Sequence, residues 1–165
     1  LDIVLKAIPS VISSEKHVKF VFASHIPGFM EKYGSLITQL GIEDNVIFAG
    51  QLNNTETMPF FCKDADVVIS VPSSDSSPSS VYEAMACKTP VITSDLPWYK
   101  GKLDEDRDMV VVPVRNVEKL AQAIIQVLSG ERRVDVDSVY QKVYENINFE
   151  TENKKLEKFY EKILS

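Results

Sequence analysis

The sequence predicts an α/β fold in which a parallel sheet is flanked by helices, and three observations lead to this prediction. Short β-branched segments alternate with longer amphipathic segments, which is typical of parallel strands joined by helical crossovers. The chain of 165 residues is long enough for one domain with a sizeable core. No internal repeat or low-complexity segment interrupts the alternation. Ligands of such sheets bind at the carboxyl ends of the strands.

The first half of the chain predicts three helices and two strands. Residues 1–13 carry apolar side chains at positions 4, 5, 8, 11 and 12, a helical stripe that Pro9 is expected to kink or delay. A second helix is predicted over residues 28–40, and Gly41 closes it. The other elements are strands at 18–23 and 46–48 and a short helix at 55–63, in which Pro59 is again a conflict.

The second half continues the same alternation. Asn116 is expected to cap a helix that runs to Leu128, because its side chain can accept a hydrogen bond from a first-turn amide. Two charged, amphipathic helices are predicted at the end of the chain. The remaining predictions are strands at 66–70, 90–93 and 109–112, a helix at 78–87, and the final helices at 133–145 and 150–164.

The strongest functional pattern surrounds the predicted helix at 78–87. Ser77 is a suitable N-cap, and Pro78 suits the first helical position, where its missing N–H costs nothing. The unpaired amides of such a first turn and the helix dipole favour phosphate. The pattern therefore predicts an anion site made by Ser76, Ser77, Pro78, Ser79 and Ser80.

Two carboxylates with seven residues between them, Asp75 and Glu83, flank this helix start. Sugar hydroxyls explain them best, since an ionised carboxylate can accept two hydrogen bonds from a vicinal diol. Glu83 shares a predicted helix face with Ser79 and Ser80 and can reach a ribose, while Asp75 can reach a hexose. The pattern thus predicts a sugar-nucleotide site. The alternative is that Ser77 only caps a helix, Glu83 is solvated and Asp75 belongs to a turn.

These residues also resemble a family motif. The segments V-P-S-S-D at 71–75 and Y-E-A-M-A-C-K-T-P-V-I-T-S at 82–94 resemble the acidic-x7-Glu motif of retaining GT-B glycosyltransferases, above all glycosyltransferase family 4. Similar segments at 46–51, 65–67, 110–113 and 117–124 extend the resemblance over nearly the whole chain. The resemblance implies a Rossmann-like parallel sheet, one half of a GT-B architecture, with extra C-terminal helices.

The resemblance also implies an activity and roles for individual residues. It implies retaining transfer of a hexose from a nucleoside diphosphate sugar to a glycan or lipid-linked acceptor, in the synthesis of surface polysaccharides or glycolipids. Asp75 and Glu83 would be the catalytic pair, and Leu52 would contact the base. Apart from the resemblance, His25 follows the strand predicted at 18–23, where it can approach the nucleotide or a leaving phosphate or else only form hydrogen bonds within its loop. No cofactor and no obligate metal are implied. The enzyme would be cytoplasmic and able to associate with the inner face of the cell membrane.

Two departures from the family pattern affect these expectations. The glycines of the family's E-G-F-G segment are missing from D-S-S-P at 75–78, so donor contacts can differ. The family's basic pair, in G-R-x-x-x-x-K, is absent and would lie upstream of Leu1. We therefore expect a fragment that lacks an N-terminal acceptor domain and is inactive alone. Residues 1–130 would be the donor-binding domain without its first strand, and residues 131–165 helices that pack back on it.

Composition excludes several other classes. With 18 basic and 24 acidic residues the net charge is −6, and no basic face is evident, so nucleic acid is not expected as a partner. No apolar run could span a bilayer. Cys62 and Cys87 lack metal-ligand spacing and are expected to be reduced core thiols. Trp98 and Tyr99 can either stack on a ligand or cover the end of the sheet.

Two rival functions remain open for this sequence. One is a nucleotide-sugar epimerase of GT-B type, which would act on the donor without an acceptor. The other is a non-catalytic nucleotide-binding module that retains the scaffold and has lost transfer.

Overall fold

A computed structural model describes residues 1–23, 28–50, 52 and 56–164, and within these ranges strands and helices alternate as predicted. The predicted α/β class with parallel strands flanked by helices is confirmed. Two short 3₁₀ turns lie at Glu43–Asn45 and Pro97–Tyr99. The strands are β1 (Phe20–Ala23), β2 (Val46–Gly50), β3 (Val68–Ser70), β4 (Val91–Ser94) and β5 (Val110–Val112). The helices are α1 (Asp2–Ser14), α2 (Phe29–Leu40), α3 (Met58–Asp64), α4 (Ser79–Ala86), α5 (Val117–Leu128), α6 (Val136–Asn146) and α7 (Phe149–Leu164).

The strands form two parallel sheets. Strand β1 pairs with β2, and β4 lies between β3 and β5 in a three-stranded sheet. Within the described residues no ladder joins β1 to β3. One hydrophobic core nevertheless serves both sheets, because buried side chains of β1, β4 and β5 pack in the same cluster as those of α1 and α5. The two sheets therefore belong to one layered domain.

Helix α1 runs through Pro9 without the delay that the sequence predicted. Proline cannot donate the hydrogen bond to the carbonyl four residues earlier, so this continuity needs support from tertiary packing. One face of the helix supplies that support, with Val4, Leu5, Ala7, Ile8 and Val11 buried against the core shared with α5. Packing outweighs the local proline penalty here.

The helix boundaries follow the predicted capping signals in two places. Gly41 ends α2 in the left-handed conformation (φ 63°), and its amide bonds back to the carbonyl of Thr38. Asn116 Oδ1 accepts a hydrogen bond from the Lys119 amide at 2.9 Å and so caps α5 as predicted. Pro59 lies in the first turn of α3, where a proline is tolerated, and the described helix begins at Met58. Residue 55, where the sequence predicted its start, lies outside the described residues.

The two final helices differ in how they pack. Helix α6 buries Val139 and Val143 in the cluster that also contains side chains of α4, and Asp135 rather than residue 133 marks its start. Helix α7 buries none of its residues. Its large apolar side chains are exposed, namely Phe149, Leu156, Phe159, Tyr160, Ile163 and Leu164.

A buried ion pair fastens α6 to the segment before β5. Asp108 is fully buried, and its Oδ2 accepts hydrogen bonds from Lys142 Nζ at 2.5 Å and from the Asp104 amide at 2.8 Å. Lys142 Nζ also lies 2.8 Å from Asp104 Oδ2. The hydrogen bond to Asp104, and after it the one to Asp108, raises the pKa of Lys142, and the same lysine lowers the pKa of Asp104. Because the Asp108 carboxylate is fully buried, loss of the Lys142 cation would leave an uncompensated charge in the core.

Candidate functional site

The loop between β3 and α4 leaves the carboxyl end of β3. Asp75 is exposed there, and its Oδ1 accepts a hydrogen bond from the Ser77 amide at 2.9 Å, which folds the loop as an Asx turn. Helix α4 begins at Ser79, and Pro78 occupies the N-cap position with extended backbone and no side-chain cap. The prediction that Ser77 caps the helix and Pro78 starts it was therefore wrong by one residue. The Asp75 carboxylate fixes the Ser77 amide in the loop instead.

The first turn of α4 presents unpaired amides. Val81 and Tyr82 donate their amides to the Pro78 carbonyl, at 3.1 and 3.4 Å. In the part of the chain that the structure describes, the amides of Ser79 and Ser80 have no hydrogen-bond acceptor. Both side chains are exposed. Two free N–H groups at the positive end of a helix dipole can receive an anion.

A serine at the end of β3 contacts this turn and was missed by the sequence reasoning. Ser70 Oγ lies 3.5 Å from Ser80 Oγ, and either hydroxyl can donate. The contact ties the first turn of α4 to the carboxyl end of the strand. The sequence signal that could have identified Ser70 is its position as the last residue of the strand before the motif.

Glu83 lies in the second turn of α4 and is half buried. It shares a helix face with Ser79 and Ser80, which precede it by one turn. No described residue forms a hydrogen bond or ion pair with its carboxylate. The carboxylate lies close enough to Cys62 and Cys87 to help raise the pKa of both thiols, after the larger effect of burial. Glu83 is thus an acceptor with free capacity next to the two free amides.

The other predicted ligand residues belong to loops that follow strands. Ser76 and Ser77 are exposed in the Asx-turn loop, and Pro78 is buried under it. Leu52 is half buried and follows β2, the neighbour of β1. His25 lies outside the described residues. The structure brings Glu83, Ser79 and Ser80 onto one face and places Asp75 in the adjoining loop, with no direct contact between the two carboxylates among the described bonds.

A second polar cluster missed by the sequence reasoning follows β4. Asp95 comes directly after β4, whose Thr93 pairs with Ser70, so the loops that carry Asp95 and Asp75 both leave the carboxyl edge of the same sheet. Tyr99 Oη is 2.9 Å from Asp95 Oδ1 and 2.6 Å from Glu105 Oε1. Burial, then these two hydrogen bonds, raise the pKa of Tyr99. The phenol therefore stays protonated and holds the loop in place.

The aromatic residues of this loop cover the sheet and do not offer a stacking surface. Trp98 is 6% exposed and Tyr99 is 1% exposed. Trp98 packs edge-on against Tyr82 at 5.5 Å and against Tyr99 at 5.4 Å between ring centroids. The structure therefore supports the second role predicted for Trp98 and Tyr99, which is to cover the end of the sheet and not to stack on a ligand.

The described ranges hold neither a candidate metal cluster nor a helix suited to a membrane. No three His, Cys, Asp or Glu side chains in them cluster so as to hold a metal ion. None of the helices described is long and apolar enough to cross a membrane.

Fold and site together define a Rossmann-like α/β domain with its polar loops and free helix amides at the carboxyl ends of parallel strands. The chain belongs to the family described as Glycosyl transferases group 1, whose profile matches residues 1–146. The resemblance found in the sequence is confirmed.

Individual relatives agree with this assignment. The chain is 31% identical over 160 residues to the alpha-monoglucosyldiacylglycerol synthase of Streptococcus pneumoniae (strain ATCC BAA-255 / R6), covering 97% of this chain and 35% of that protein. It spans little more than a third of the length of the curated relatives it matches, at 35% and 38%.

Two solved structures show the same fold. The C-terminal domain of a group 1 family glycosyl transferase (LpcC) from Francisella tularensis superposes with a TM-score of 0.75 at 16% identity, covering 90% of this chain and 79% of that one. Anabaena HepE in complex with UDP-glucose gives a TM-score of 0.64 at 17% identity, covering 88% of this chain and 44% of that one.

Proposed function

We propose that this chain is the donor-binding domain of a retaining glycosyltransferase, which binds a nucleoside diphosphate sugar and supports transfer of its hexose. The observation that carries the proposal is the start of α4, where the amides of Ser79 and Ser80 are unpaired beside the unpaired carboxylate of Glu83. Membership of the group 1 glycosyl transferase family supports it. The donor complex of HepE, a protein of the same fold, supports a nucleotide-sugar ligand.

Each group at the helix start has a defined task in this proposal. The amides of Ser79 and Ser80, with the helix dipole, hold the diphosphate and stabilise the charge that develops on it as it leaves. Glu83 accepts hydrogen bonds from a ribose diol through its two oxygens. These contacts anchor the nucleotide half of the donor before the sugar is positioned.

Asp75 has less free capacity than the sequence suggested. Its Oδ1 already accepts the Ser77 amide, so one carboxylate oxygen remains fully available for a hexose hydroxyl. A carboxylate in this place orients the sugar while the anomeric carbon acquires positive charge. The Asx turn fixes the direction of the carboxylate and so contributes to its positioning. We also propose that Leu52 contacts the base and that His25 contacts the nucleotide.

The acceptor and the cellular setting belong to the same proposal. A glycan or lipid-linked acceptor is supported by the pneumococcal relative, whose name describes synthesis of a glucosylated diacylglycerol. We propose an acceptor domain elsewhere in the full protein, a role in surface polysaccharide or glycolipid synthesis, and a cytoplasmic location at the inner membrane face. No cofactor and no obligate metal are needed for the roles given above.

Titration calorimetry with UDP, GDP and ADP tests the proposal on both the 165-residue chain and the full-length protein. We expect one diphosphate to bind in the presence of EDTA, and the matching nucleoside to bind at least tenfold more weakly because the helix start holds the phosphates. Affinity of the short chain should be modest, since the family's basic pair is not in this sequence.

Two outcomes would contradict the proposal. Absence of binding by the full-length protein to all three diphosphates would remove the donor role. Binding that requires Mg²⁺ would remove the metal-independent form of it.

A further inference from the structure

A small cavity lies at the amino edge of the three-stranded sheet, opposite the edge from which α4 starts. Asp66 comes shortly before β3 and Pro90 directly before β4, and both line this cavity. The segment between α5 and α6 contributes Arg132 and Arg133 to the lining. The cavity has a volume of about 270 Å³, close to the lower end of the range for ligand pockets, so it suits a small molecule.

The polar part of the lining is mainly cationic. Lys88, Arg132 and Arg133 line the cavity together with a single carboxylate, that of Asp66. This excess of positive charge contrasts with the net charge of −6 of the whole chain. A concave surface lined by charges of one sign concentrates ligands of the opposite sign, so the cavity favours an anion.

The ion pairs of these cations leave them available to a ligand. The Arg133 guanidinium has no described carboxylate partner, and its Nε donates to a backbone carbonyl at 3.3 Å. Lys88 Nζ lies 2.7 Å from Asp137 Oδ1, but the side chains are 50% and 79% exposed. Arg132 pairs with Asp106, whose side chain is 71% exposed. Exposed pairs contribute little to stability, so an incoming anion can replace these carboxylates at small cost.

The rest of the lining is apolar and half-buried, and it consists of Pro90, Val127, Val134 and Val136. Apolar surface beside fixed cations suits a ligand with a compact apolar group and one strongly charged end. Two of the three cations are guanidinium groups, whose planar forks of N–H donors match the oxygens of a phosphate.

We propose that this cavity is a second binding site, which takes a phosphate monoester with a small apolar group. Arg132 and Arg133 donate to the phosphate oxygens, Lys88 supplies the third positive charge, and the apolar residues cover the organic group. Lys88 follows the end of α4, whereas the amides proposed to hold the nucleotide belong to its start. The inference therefore does not depend on the proposed donor site.

Amide chemical shifts test the site directly. The isotope-labelled chain of 165 residues is titrated with phenyl phosphate, inorganic phosphate or phenol, in about 0.15 M NaCl to screen non-specific attraction. We expect phenyl phosphate to shift the amides of Lys88 and residues 130–136 and to saturate them at millimolar concentration or below. Inorganic phosphate should bind the same amides at least about threefold more weakly, because it lacks the apolar group. Phenol should leave them unchanged.

Lys88→Gly and Arg115→Gly form a matched pair of variants. Both residues are exposed and have a φ of 60°, which glycine adopts without strain, and each substitution removes one positive charge. Only Lys88 lines the cavity. We expect Lys88→Gly and Arg133→Gln to weaken binding of phenyl phosphate at least about tenfold, through loss of a charged contact, and Arg115→Gly to bind as wild type. Amides remote from each substitution report whether the variant is folded.

A phospholipid headgroup and a soluble ester both present a phosphate monoester, and vesicles distinguish these sources. If the ligand is a lipid, vesicles of phosphatidylcholine with phosphatidic acid should sediment the wild-type chain but not Lys88→Gly. If it is a soluble ester, phenyl phosphate should bind and the chain should stay in solution.

Three results would overturn the proposal. It fails if phenyl phosphate leaves the amides of residues 130–136 unchanged in the folded chain, or if only the amides of Ser79 and Ser80 respond. It also fails if Lys88→Gly and Arg115→Gly lose the same affinity, since the attraction would then be a property of the overall charge.

Discussion

At the scale of a single residue, one prediction concerns Glu83. Replacing Glu83 by Gln should weaken binding of the nucleoside diphosphate by about 1.5–3 kcal/mol, because two charge-assisted acceptors become one neutral oxygen and one amide donor. Calorimetry with the tightest of the three nucleotides measures the loss. Glu43→Gln, an exposed carboxylate that precedes β2 at the other end of the sheet, is the matched control and should change nothing.

A different outcome would give Glu83 a structural role. If Glu83→Gln binds nucleotide as wild type but melts at a lower temperature, the residue supports α4 and the site hypothesis for it is wrong.

A second prediction at this scale concerns Lys142. Lys142→Met should destabilise the protein by about 3 kcal/mol, since it leaves the fully buried Asp108 carboxylate without its cation. Denaturant unfolding measures the effect. Lys155→Met breaks an exposed pair with Glu152 on α7 and should cost less than about 1 kcal/mol. The double variant Lys142→Met/Asp108→Asn should recover part of the loss, and equal losses in the single and double variants would argue against the ion pair.

The same network sets a dependence of stability on pH. Asp104 has a lowered pKa, so its contribution is present above the ordinary aspartate pKa, about 4, and is lost as the pH falls through the lower folded value. Lys142 has a raised pKa, so its contribution is complete below the ordinary lysine pKa and is lost as the pH rises through the folded value. The free energy of unfolding should be measured at several pH values. In wild type the contribution of this network should be constant near neutral pH and should decrease at both extremes, whereas Lys142→Met should lack this pH dependence.

Residue-scale features could be predicted only where their cause is local. Asn116 and Gly41 were predicted correctly because a cap depends on the amides and dihedral angles of the same turn. Lys142 and Asp108 lie 34 residues apart, and no local pattern indicates that α6 returns to the start of β5. The Ser77 cap was wrong because α4 begins at Ser79, so that Pro78 and not Ser77 occupies the N-cap position.

At the scale of elements, the starts of α5 and α4 should respond differently to truncation of a polar side chain. Asn116→Ala should cost about 1 kcal/mol, because the Lys119 amide loses its acceptor. Ser77→Ala should stay within about 0.5 kcal/mol of wild type, because the cap of α4 is Pro78 and no side chain caps that helix. Thermal unfolding of both variants makes the comparison. A larger loss for Ser77→Ala would mean that its hydroxyl caps α4 in solution.

Elements with strong periodicity were predicted well, and their ends were not. The alternating order of all five described strands agrees with the sequence, because β-branched runs and amphipathic stripes are local signals. The prolines led to wrong predictions of where helices are interrupted or begin. Pro9 is tolerated by packing of α1 on the core, and Pro59 lies in a first turn, two contexts that sequence alone does not distinguish.

At the scale of the whole molecule, we expect the 165-residue chain to bind the donor without transferring sugar. Transfer requires donor and acceptor to be held within reacting distance in a cleft that excludes water, and the role proposed for these residues is on the donor side. The measurement compares donor turnover by this chain and by the full-length protein with a glycan or lipid-linked acceptor. Acceptor-dependent turnover by the short chain would place the acceptor site within these residues.

The division of the strands into two parallel sheets has a consequence for the exchange of amide hydrogens with solvent. Strand β4 has a hydrogen-bonded neighbour on both sides and is buried throughout, whereas β1 and β3 have a ladder on one side within the described residues. Amides that point away from a ladder exchange early even when the side chains around them are packed. Deuterium uptake should therefore be slowest in β4, and the domain's most protected segment should be the strand that follows α4.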